Sequence, residues 1–306
     1  MRETDGRQPG VPRADEAPLG GGDDVYLIGG TEPGRGPRFD AAVMPEGYLW
    51  WYVDALSGDG RHGITIIAQV GSCFSPYYAR ARRRGDSDPL NHNSLNVALY
   101  GECKRWSMTE RGRSALRRDA SWLEIGPSSL YWDGTSLTIQ IDEVTAPLPS
   151  RIRGTVRVYP SAVAGTPYHL DHAGRHCWAP IAPRAHVEVK LDRPSLRWSG
   201  GGYLDSNWGA EPLEMAFRRW EWSRAMLSDG GAAILYDVTQ RDGHKPPLGL
   251  RFAPGGEVEP FEAPPHVRLP NTGWLMRRGT RVDPQKIARV TETLEDTPFY
   301  TRSVLE

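Results

Sequence analysis

The sequence contains few cysteines, and they form no recognisable pattern. Cys73, Cys103 and Cys177 are the only three in 306 residues, and their long spacings match neither a set of zinc ligands nor a disulfide framework. Isolated thiols in odd number are typical of a reducing compartment. The cysteine content therefore favours a cytoplasmic location and predicts no structural metal.

Long apolar runs are also absent. The longest, from Ile64 to Val70, is interrupted by Thr65 and Gln69 and is too short to cross a bilayer. Residues 1–24 are polar and lack the apolar segment that a signal peptide needs. We expect a disordered tail over residues 1–24, followed by a protein that is soluble or bound only to a membrane surface.

An excess of charge of either sign is missing as well. Lys and Arg number 37 and Asp and Glu number 38, which gives a net charge of −1. This balance argues against a nucleic-acid partner. Tryptophan is unusually frequent, with 11 residues against 6 phenylalanines, and its apolar body with one polar tip suits the lining of a pocket.

The apolar residues that are present follow a strand rhythm. Segments 47–56 and 63–72 are rich in aromatic and β-branched residues, and in segment 129–144 apolar and polar residues alternate after the Asp133-Gly134 pair, which predicts a two-residue hairpin turn. No segment of twelve or more residues has convincing helical periodicity, although 287–294 could form a short helix. We predict an all-β chain of two antiparallel barrels or sandwiches in tandem, with few short helices and a division near residue 175.

Three histidines, an aspartate and a cysteine lie close together near this division. They occupy the segment from His169 to Cys177, and such a group could bind a metal ion. Gly174 and the nearby prolines at 160, 167, 180 and 183 favour a loop instead, and no distant ligand stands out. We interpret the segment as the link between two domains.

Positive charge is concentrated between residues 79 and 118. Ten Lys or Arg residues stand there against four acids. Such a region could hold the protein against anionic lipid head groups, with each cation near the surface contributing about 1 kcal/mol. A solvated charged face is the alternative.

Residues 200–209 form the candidate functional site that the sequence predicts. Three glycines lead into Tyr203-Leu204-Asp205-Ser206-Asn207-Trp208, and Gly209 closes the stretch. Asp205 has no Lys or Arg within seven residues on either side, and a carboxyl among aromatic residues without a local cation is a candidate for a raised pKa. A tight turn with a capping aspartate is the simpler interpretation.

Two chemistries fit such a carboxyl. A neutral Asp205 could protonate an alkene, and the faces of Trp208, Trp220 and Trp222 could stabilise the resulting tertiary cation before water captures it, assisted by the polar groups of Tyr203 and Asn207. Alternatively, Asp205 with Glu211 or Glu221 could hydrolyse a glycosidic bond. The sequence contains no phosphate-binding glycine loop, no Gly-x-Ser-x-Gly elbow and no cysteine nucleophile with a partner histidine.

Several motifs resemble the carotenoid 1,2-hydratases, also called hydroxyneurosporene synthases, of photosynthetic bacteria. The resemblance extends from about residue 40 to the end. It is carried by stretches 47–55 (Gly-Tyr-Leu-Trp-Trp-Tyr-Val-Asp-Ala), 61–63, 65–68, 74–78, 91–92, 95–101, 108–112, 203–209 and 294–300. The Asp-x-x-Trp-Gly element alone is shared with a wider superfamily of paired lipocalin-like domains, which includes other hydratases and cyclases.

The resemblance implies a function and a fold. It implies addition of water to the terminal double bond of an acyclic carotene, without a redox cofactor, and two lipocalin-like (calycin-type) barrels over residues 25–175 and 176–306. Asp205 matches the family's proposed proton donor, and His92 and Trp51 lie in matching motifs as supporting residues. A location peripheral to the photosynthetic or inner membrane follows. A carotenoid carrier without chemistry, a related terpenoid cyclase and a glycan-active protein remain as alternatives.

Overall fold

The computed structural model describes residues 29–243, 246–298 and 300–306. The predicted disordered tail, 1–24, lies outside these residues, as does Phe299 of the C-terminal motif. The described chain consists of antiparallel strands with two short α-helices and two 3₁₀ turns. The prediction of an all-β, antiparallel fold with few short helices is confirmed.

One large antiparallel sheet dominates the structure. A small ribbon, β1 (Thr31–Glu32) with β2 (Gly36–Pro37), precedes it. The strands of the large sheet are β3 (Tyr48–Ser57), β4 (His62–Val70), β5 (Asn93–Gly101), β6 (Arg105–Arg111), β7 (Leu116–Arg118), β8 (Trp122–Ile125), β9 (Ser128–Trp132), β10 (Leu137–Val144), β11 (Arg151–Pro160), β12 (Tyr168–His169), β13 (His176–Arg193) and β14 (Leu196–Gly209). The first helix, α1 (Pro76–Arg82), and the 3₁₀ turns Pro89–Asn91 and Arg113–Ala115 lie in its connections.

The sheet curls into a nearly closed barrel. Its hydrogen-bonded order is β6-β5-β4-β3-β14-β13-β11-β10-β9-β8-β7, with β12 attached to β13. The end strand β6 lies beside β10, so that the two edges of the sheet approach each other. Alternate residues of every strand point inward. On β3 the inward residues Leu49, Trp51, Val53 and Ala55 join the apolar core that fills the barrel.

The remainder of the chain packs on the outside of this barrel. It comprises α2 (Leu213–Ala216), a four-stranded sheet and two hairpins. The sheet is formed by β15 (Phe217–Met226), β16 (Ala232–Gln240), β17 (Leu248–Phe252) and β18 (Val258–Pro260), and the hairpins by β19 (His266–Leu269) with β20 (Arg278–Arg281) and β21 (Val290–Asp296) with β22 (Thr301–Leu305). A second apolar cluster lies between the outer face of β3, β13 and β14 and the four-stranded sheet.

The strands after residue 175 continue the large sheet. β13 pairs with β11, and β14 pairs with β3 near the start of the described chain. The hydrogen-bonding pattern therefore crosses the predicted division at residue 175, and that division stays a prediction.

Strand β13 begins at His176, inside the segment that the glycine and prolines predicted to be a loop. The prolines at 180 and 183 favoured a loop, but both lie within β13. The pairing of β13 with β14 shifts register between Pro180 and Ala182 and again between Ala182 and Ala185. A proline can occupy a strand at such a bulge because no ladder hydrogen bond is required of it there.

Two further local predictions were wrong. The hairpin after β9 is not a two-residue turn, since Trp132 pairs with Leu137 and four residues connect them. The Asp133 carboxylate accepts backbone N–H bonds from Thr135 and Ser136, which stabilises this wider turn. The possible helix at 287–294 is a strand from Val290 onward, because its residues pair with β22.

The glycines that open the site motif allow close packing of strands. At Gly202 an added Cβ would lie 2.3 Å from Val187 Cγ2 and 2.8 Å from the Asp54 carbonyl oxygen. At Gly201, the residue before it, an added Cβ would meet no atom within 4 Å.

We expect Gly202→Ala to lower the free energy of unfolding by about 1–3 kcal/mol, because the new methyl group overpacks the contact between β3, β13 and β14. Gly201→Ala is the matched control and should change it by less than about 0.5 kcal/mol. Urea denaturation of both variants measures the difference. Equal stability of the two variants would contradict the packing explanation.

Candidate active site

Asp205 lies on the outer face of the barrel, not in its interior. On β14, Leu204, Ser206 and Trp208 point into the barrel, so Asp205 points towards the four-stranded sheet. Its neighbours in register are Tyr52 on β3 and Pro180 on β13. The residue is only 3% exposed, because the four-stranded sheet covers this part of the barrel wall.

Four neighbouring side chains hold the Asp205 carboxyl in place. Its Oδ2 accepts hydrogen bonds from the Tyr203 hydroxyl at 2.7 Å and from Trp178 Nε1 at 2.8 Å. Its Oδ1 accepts one from Asn207 Nδ2 at 3.2 Å. The hydroxyl of Tyr236, on the covering sheet, donates to Asn207 Oδ1 at 3.0 Å and thereby fixes the carboxamide.

Burial raises the pKa of Asp205 to about 7. Loss of solvation is the largest cause, and the charge of Asp54 adds to it. The hydrogen bonds from Tyr203, Trp178 and Asn207 act in the opposite direction because they favour the carboxylate. The carboxyl is therefore close to half-protonated near neutral pH, as a general acid must be.

Aromatic side chains line the space between barrel and sheet. From the covering sheet, the Trp222 ring lies 5.0 Å from the Tyr203 ring and 5.9 Å from the Tyr52 ring. Farther along, Trp220 lies 6.3 Å from Phe74. The Asp205 carboxyl thus lies among aromatic side chains, whose π faces attract positive charge.

A buried ion cluster lies next to this aromatic surface. Asp54, 2% exposed and opposite Tyr203 in register, binds Arg224 Nη2 at 2.8 Å and Arg302 Nη2 at 2.5 Å. Burial alone would raise the pKa of Asp54, but the two guanidinium groups outweigh it and hold this pKa below its usual value. Asp54 is therefore ionised at a pH at which Asp205 is about half-protonated, which separates the roles of the two carboxyls.

The structure places the predicted residues Tyr203, Asn207, Trp220 and Trp222 on the Asp205 side of the interface. It does not place Trp208 or Trp51 there, which corrects two of the predicted supporting residues. Both point into the barrel, where Trp51 Nε1 donates to the Gly30 carbonyl at 2.6 Å. The physical reason is the two-residue period of a strand, which sends neighbours to opposite faces.

His92 belongs to a separate polar group. Its Nδ1 lies 2.5 Å from Glu110 Oε1, its ring stacks on Tyr78 at 4.6 Å, and the other Glu110 oxygen accepts a hydrogen bond from Ser75. None of the described contacts of His92 reaches Asp205. The predicted supporting role of His92 stays a prediction.

The second carboxyl required for glycoside hydrolysis is not among the contacts of Asp205. Glu211 pairs with Arg175 at 2.9 Å. Glu221 lies on the opposite face of β15 from Trp222, where it binds His266 at 2.9 Å and the backbone N–H of Gly279 at 2.8 Å. Both carboxylates are thus engaged elsewhere, which disfavours the glycan interpretation.

The two ends of the histidine-rich segment belong to strands of the large sheet, because His169 lies in β12 and His176 begins β13. The predicted link between two domains stays a prediction. His176 begins β13 and its Nδ1 lies 2.8 Å from the Tyr48 hydroxyl, while an added Cβ at Gly209 would lie 2.7 Å from that nitrogen. Gly209 therefore leaves room for the pair. Within the described residues, no group of three or more His, Cys, Asp or Glu residues is arranged to hold a metal ion.

Much of the basic region is paired with acids. Arg82 contacts Glu214 at 2.7 Å, and Arg111 contacts Glu143 at 2.8 Å. In the described part of the chain, no helix has both the length and the apolar character needed to span a membrane.

Sequence reasoning missed Trp178, which binds Asp205 from a neighbouring strand. It also missed Tyr236, which binds Asn207, and the two arginines that bind Asp54, Arg224 and Arg302. Because prolines at 180 and 183 favour a loop, the sequence did not predict the strand that carries Trp178. No local pattern around Trp178 indicated its contact with Asp205. For Asp54, its position inside an otherwise apolar strand was a signal of a buried carboxylate that needs a partner.

We expect Tyr203→Phe to raise the pKa of Asp205 above 7, because it removes a hydrogen bond that favours the carboxylate. Infrared titration of the protonated carboxyl band, assigned by its loss in Asp205→Asn, measures the change. Tyr159→Phe, whose hydroxyl contacts Glu188 at 3.4 Å, is the control and should leave the titration unchanged. A pKa that falls in Tyr203→Phe would refute the assigned role of this hydrogen bond.

Known proteins share this sequence over most of its length. An acyclic carotenoid 1,2-hydratase from Thiocapsa roseopersicina is 61% identical over 93% of this chain and 71% of its own. One from Rubrivivax gelatinosus is 54% identical over 88% of this chain and 67% of its own. The crystal structure of an AttH-type protein from Nitrosomonas europaea covers 72% of this chain and 68% of its own at 15% identity, with a TM-score of 0.48, a similarity too weak to support any inference.

A family model described as "Carotenoid hydratase CrtC" matches residues 66–306, which include Asp205 and every residue that donates a hydrogen bond to its carboxyl. The identities above agree with this match. The chain therefore belongs to the carotenoid hydratase CrtC family.

Proposed function

We propose that this protein is an acyclic carotenoid 1,2-hydratase, a hydro-lyase that adds water across the terminal C1=C2 bond of acyclic carotenes such as neurosporene or lycopene and gives 1-hydroxy carotenoids. Family membership supports the reaction class. One observation carries the mechanism. Asp205 is a buried carboxyl with a pKa of about 7, and it lies among aromatic rings.

The first step is proton transfer from Asp205 to C2. Oδ2 already accepts two hydrogen bonds, from Tyr203 and Trp178, so the acidic proton resides on Oδ1. The π electrons of the double bond form the new C2–H bond, and the O–H electrons stay on Asp205. A tertiary cation at C1 results. Donors that bind the carboxylate more strongly than the acid favour this step.

Aromatic faces stabilise the cation. Trp222 and Tyr203 lie on opposite sheets next to the carboxyl, and each cation–π contact in a dry site contributes about 2 kcal/mol. Trp220 and Phe74 extend the same lining and suit an apolar polyene chain. The part of the polyene chain beyond the reacting double bond would then contact this apolar aromatic surface.

Water capture completes the reaction. The water oxygen forms the C1–O bond with a lone pair, and the proton that it loses returns to the Asp205 carboxylate, so the acid is regenerated. Water addition changes no overall oxidation level, so the reaction needs no redox cofactor. Asp54 does not compete for this proton, because Arg224 and Arg302 hold it ionised.

The substrate class suggests where the protein works. Acyclic carotenes reside in membranes, so we place the protein in the cytoplasm, peripheral to the photosynthetic or inner membrane. The segment 79–118 offers a contact for anionic lipid, since Arg80, Arg83 and Arg84 are exposed. No nucleic-acid partner is expected.

We expect Asp205→Asn to abolish hydration of lycopene or neurosporene while the protein stays folded, because the carboxamide has no acidic proton. The assay uses purified protein, detergent-dispersed carotene and ¹⁸O-labelled water without added cofactor, with mass analysis of products. The control is Asp59→Asn, in an exposed turn. Each alcohol formed by the wild-type protein should carry one labelled oxygen.

The outcomes of this assay separate the alternatives. Turnover by Asp205→Asn near the wild-type rate would exclude Asp205 as the proton donor. Carotene that binds equally to both proteins and never reacts would identify a carrier. A cyclised product without labelled oxygen would identify a terpenoid cyclase.

We also expect kcat/KM to decrease about tenfold per pH unit above pH 7. The protonated form of Asp205 is the active one, and raising the pH through its pKa of about 7 removes that form. Below this pH the rate should level off. Rates measured between pH 5 and pH 9 test the profile, and a rate that rises with pH above 7 would assign Asp205 the role of a base.

A further inference from the structure

Two buried N–H groups near Asp205 have no hydrogen-bond partner among the protein atoms that the structure describes. They are Nε1 of Trp222 and Nε of Arg224. A buried donor without an acceptor is costly, and native proteins rarely leave one so. Two such donors in one place indicate a site for an acceptor that the protein itself does not supply.

The two donors lie side by side. Trp222 and Arg224 are two residues apart on β15 and therefore point to the same face, with Cα atoms about 7 Å apart. Both rest against Tyr203, since the Trp222 ring lies 5.0 Å and the Arg224 Cζ lies 5.5 Å from the centre of its ring. The Tyr203 ring is therefore a neighbour that both donor side chains share.

This position is next to the acid. The hydroxyl of Tyr203 binds Asp205 at 2.7 Å. On the covering sheet Trp222 pairs in register with Tyr236, whose hydroxyl reaches Asn207 at 3.0 Å. Trp222 and Tyr236 thus cover the two residues that flank Asp205 on its face of β14. The other donors near the carboxyl, those of Tyr203, Trp178 and Asn207, are already bound to it.

We propose that Trp222 and Arg224 form the binding site for the oxygen atom that adds to the substrate. The identity of the substrate rests on the proposed function, whereas a requirement for an oxygen ligand follows from the two donors. Trp222 Nε1–H binds one lone pair of the water, and the other lone pair attacks C1. When the oxygen then gives its proton to the Asp205 carboxylate, the lone pair that is released accepts the hydrogen bond from Arg224 Nε–H.

This order of events favours hydration over reversal. Before the reaction the water accepts one hydrogen bond, and the tertiary hydroxyl of the product accepts two. Contacts that strengthen along the reaction accelerate it. A water that is held in place also captures the cation before it can lose a proton and return to an alkene.

The first test is the partition of the cation in Trp222→Phe, which keeps an aromatic face but lacks the N–H. In D2O, an uncaptured cation loses a proton and returns deuterium-labelled alkene. We expect the ratio of labelled alkene to alcohol to rise about fivefold, the effect of one net hydrogen bond. Trp220→Phe, two residues earlier on the same face, is the comparison and should keep the wild-type ratio whatever its rate. An unchanged ratio in Trp222→Phe would overturn the proposal.

The second test does not depend on turnover. Affinities of lycopene and of its 1-hydroxy derivative are measured in detergent for the wild type and both variants. The wild type should prefer the alcohol, Trp222→Phe should lose about fivefold of that preference, and Trp220→Phe should retain it. Such a preference in a protein that neither hydrates nor exchanges deuterium would refute the proposed function and keep the oxygen site. Absence of the preference from the wild type would refute the oxygen site alone.

Discussion

Strand β3 and the second part of β14, from Gly202 to Gly209, are buried on both faces, and the rest of the structure depends on this constraint. Their inward residues fill the barrel, and their outward residues form the floor beneath the four-stranded sheet. A strand in this position cannot present polar groups to water on either side. Every polar residue on the outward face must therefore find its partner in protein, and the network around Asp205 is the result.

The same constraint explains why two aspartates two register positions apart on neighbouring strands behave differently. Asp54 and Asp205 both lose their hydration, but only Asp54 receives cations. A buried carboxylate with two arginines stays charged, whereas one that receives only neutral donors retains its proton more readily. The arginines that decide this come from β15 and β22, so the covering elements determine the protonation of the floor.

The sequence predicted the class of fold and singled out Asp205 as the candidate acid, but it did not predict the surroundings of that residue. Alternation in 129–144 and the motif around Asp205 were readable because they are local. The face on which Trp208 lies was also readable from the period of two, which groups Asp205 with Tyr203 and Asn207 only. Trp178 reaches the site through the pairing of β13 with β14, and the prolines at 180 and 183 concealed β13. Tyr236 reaches it because the four-stranded sheet packs on the barrel. Contacts of that kind depend on register, which no local pattern specifies.

The separation of the ion cluster in the chain has a consequence for folding kinetics. Arg224 lies 170 residues and Arg302 lies 248 residues after the Asp54 that they bind. Contacts of such large sequence separation close slowly, because the loop entropy must be lost before the contact forms. The pairing of β14 with β3 also joins parts of the chain that are far apart in sequence, so closure of the barrel has the same entropic cost. The ion cluster further requires β22, which carries Arg302, and we therefore expect it to be complete only when both the barrel and this C-terminal hairpin have formed.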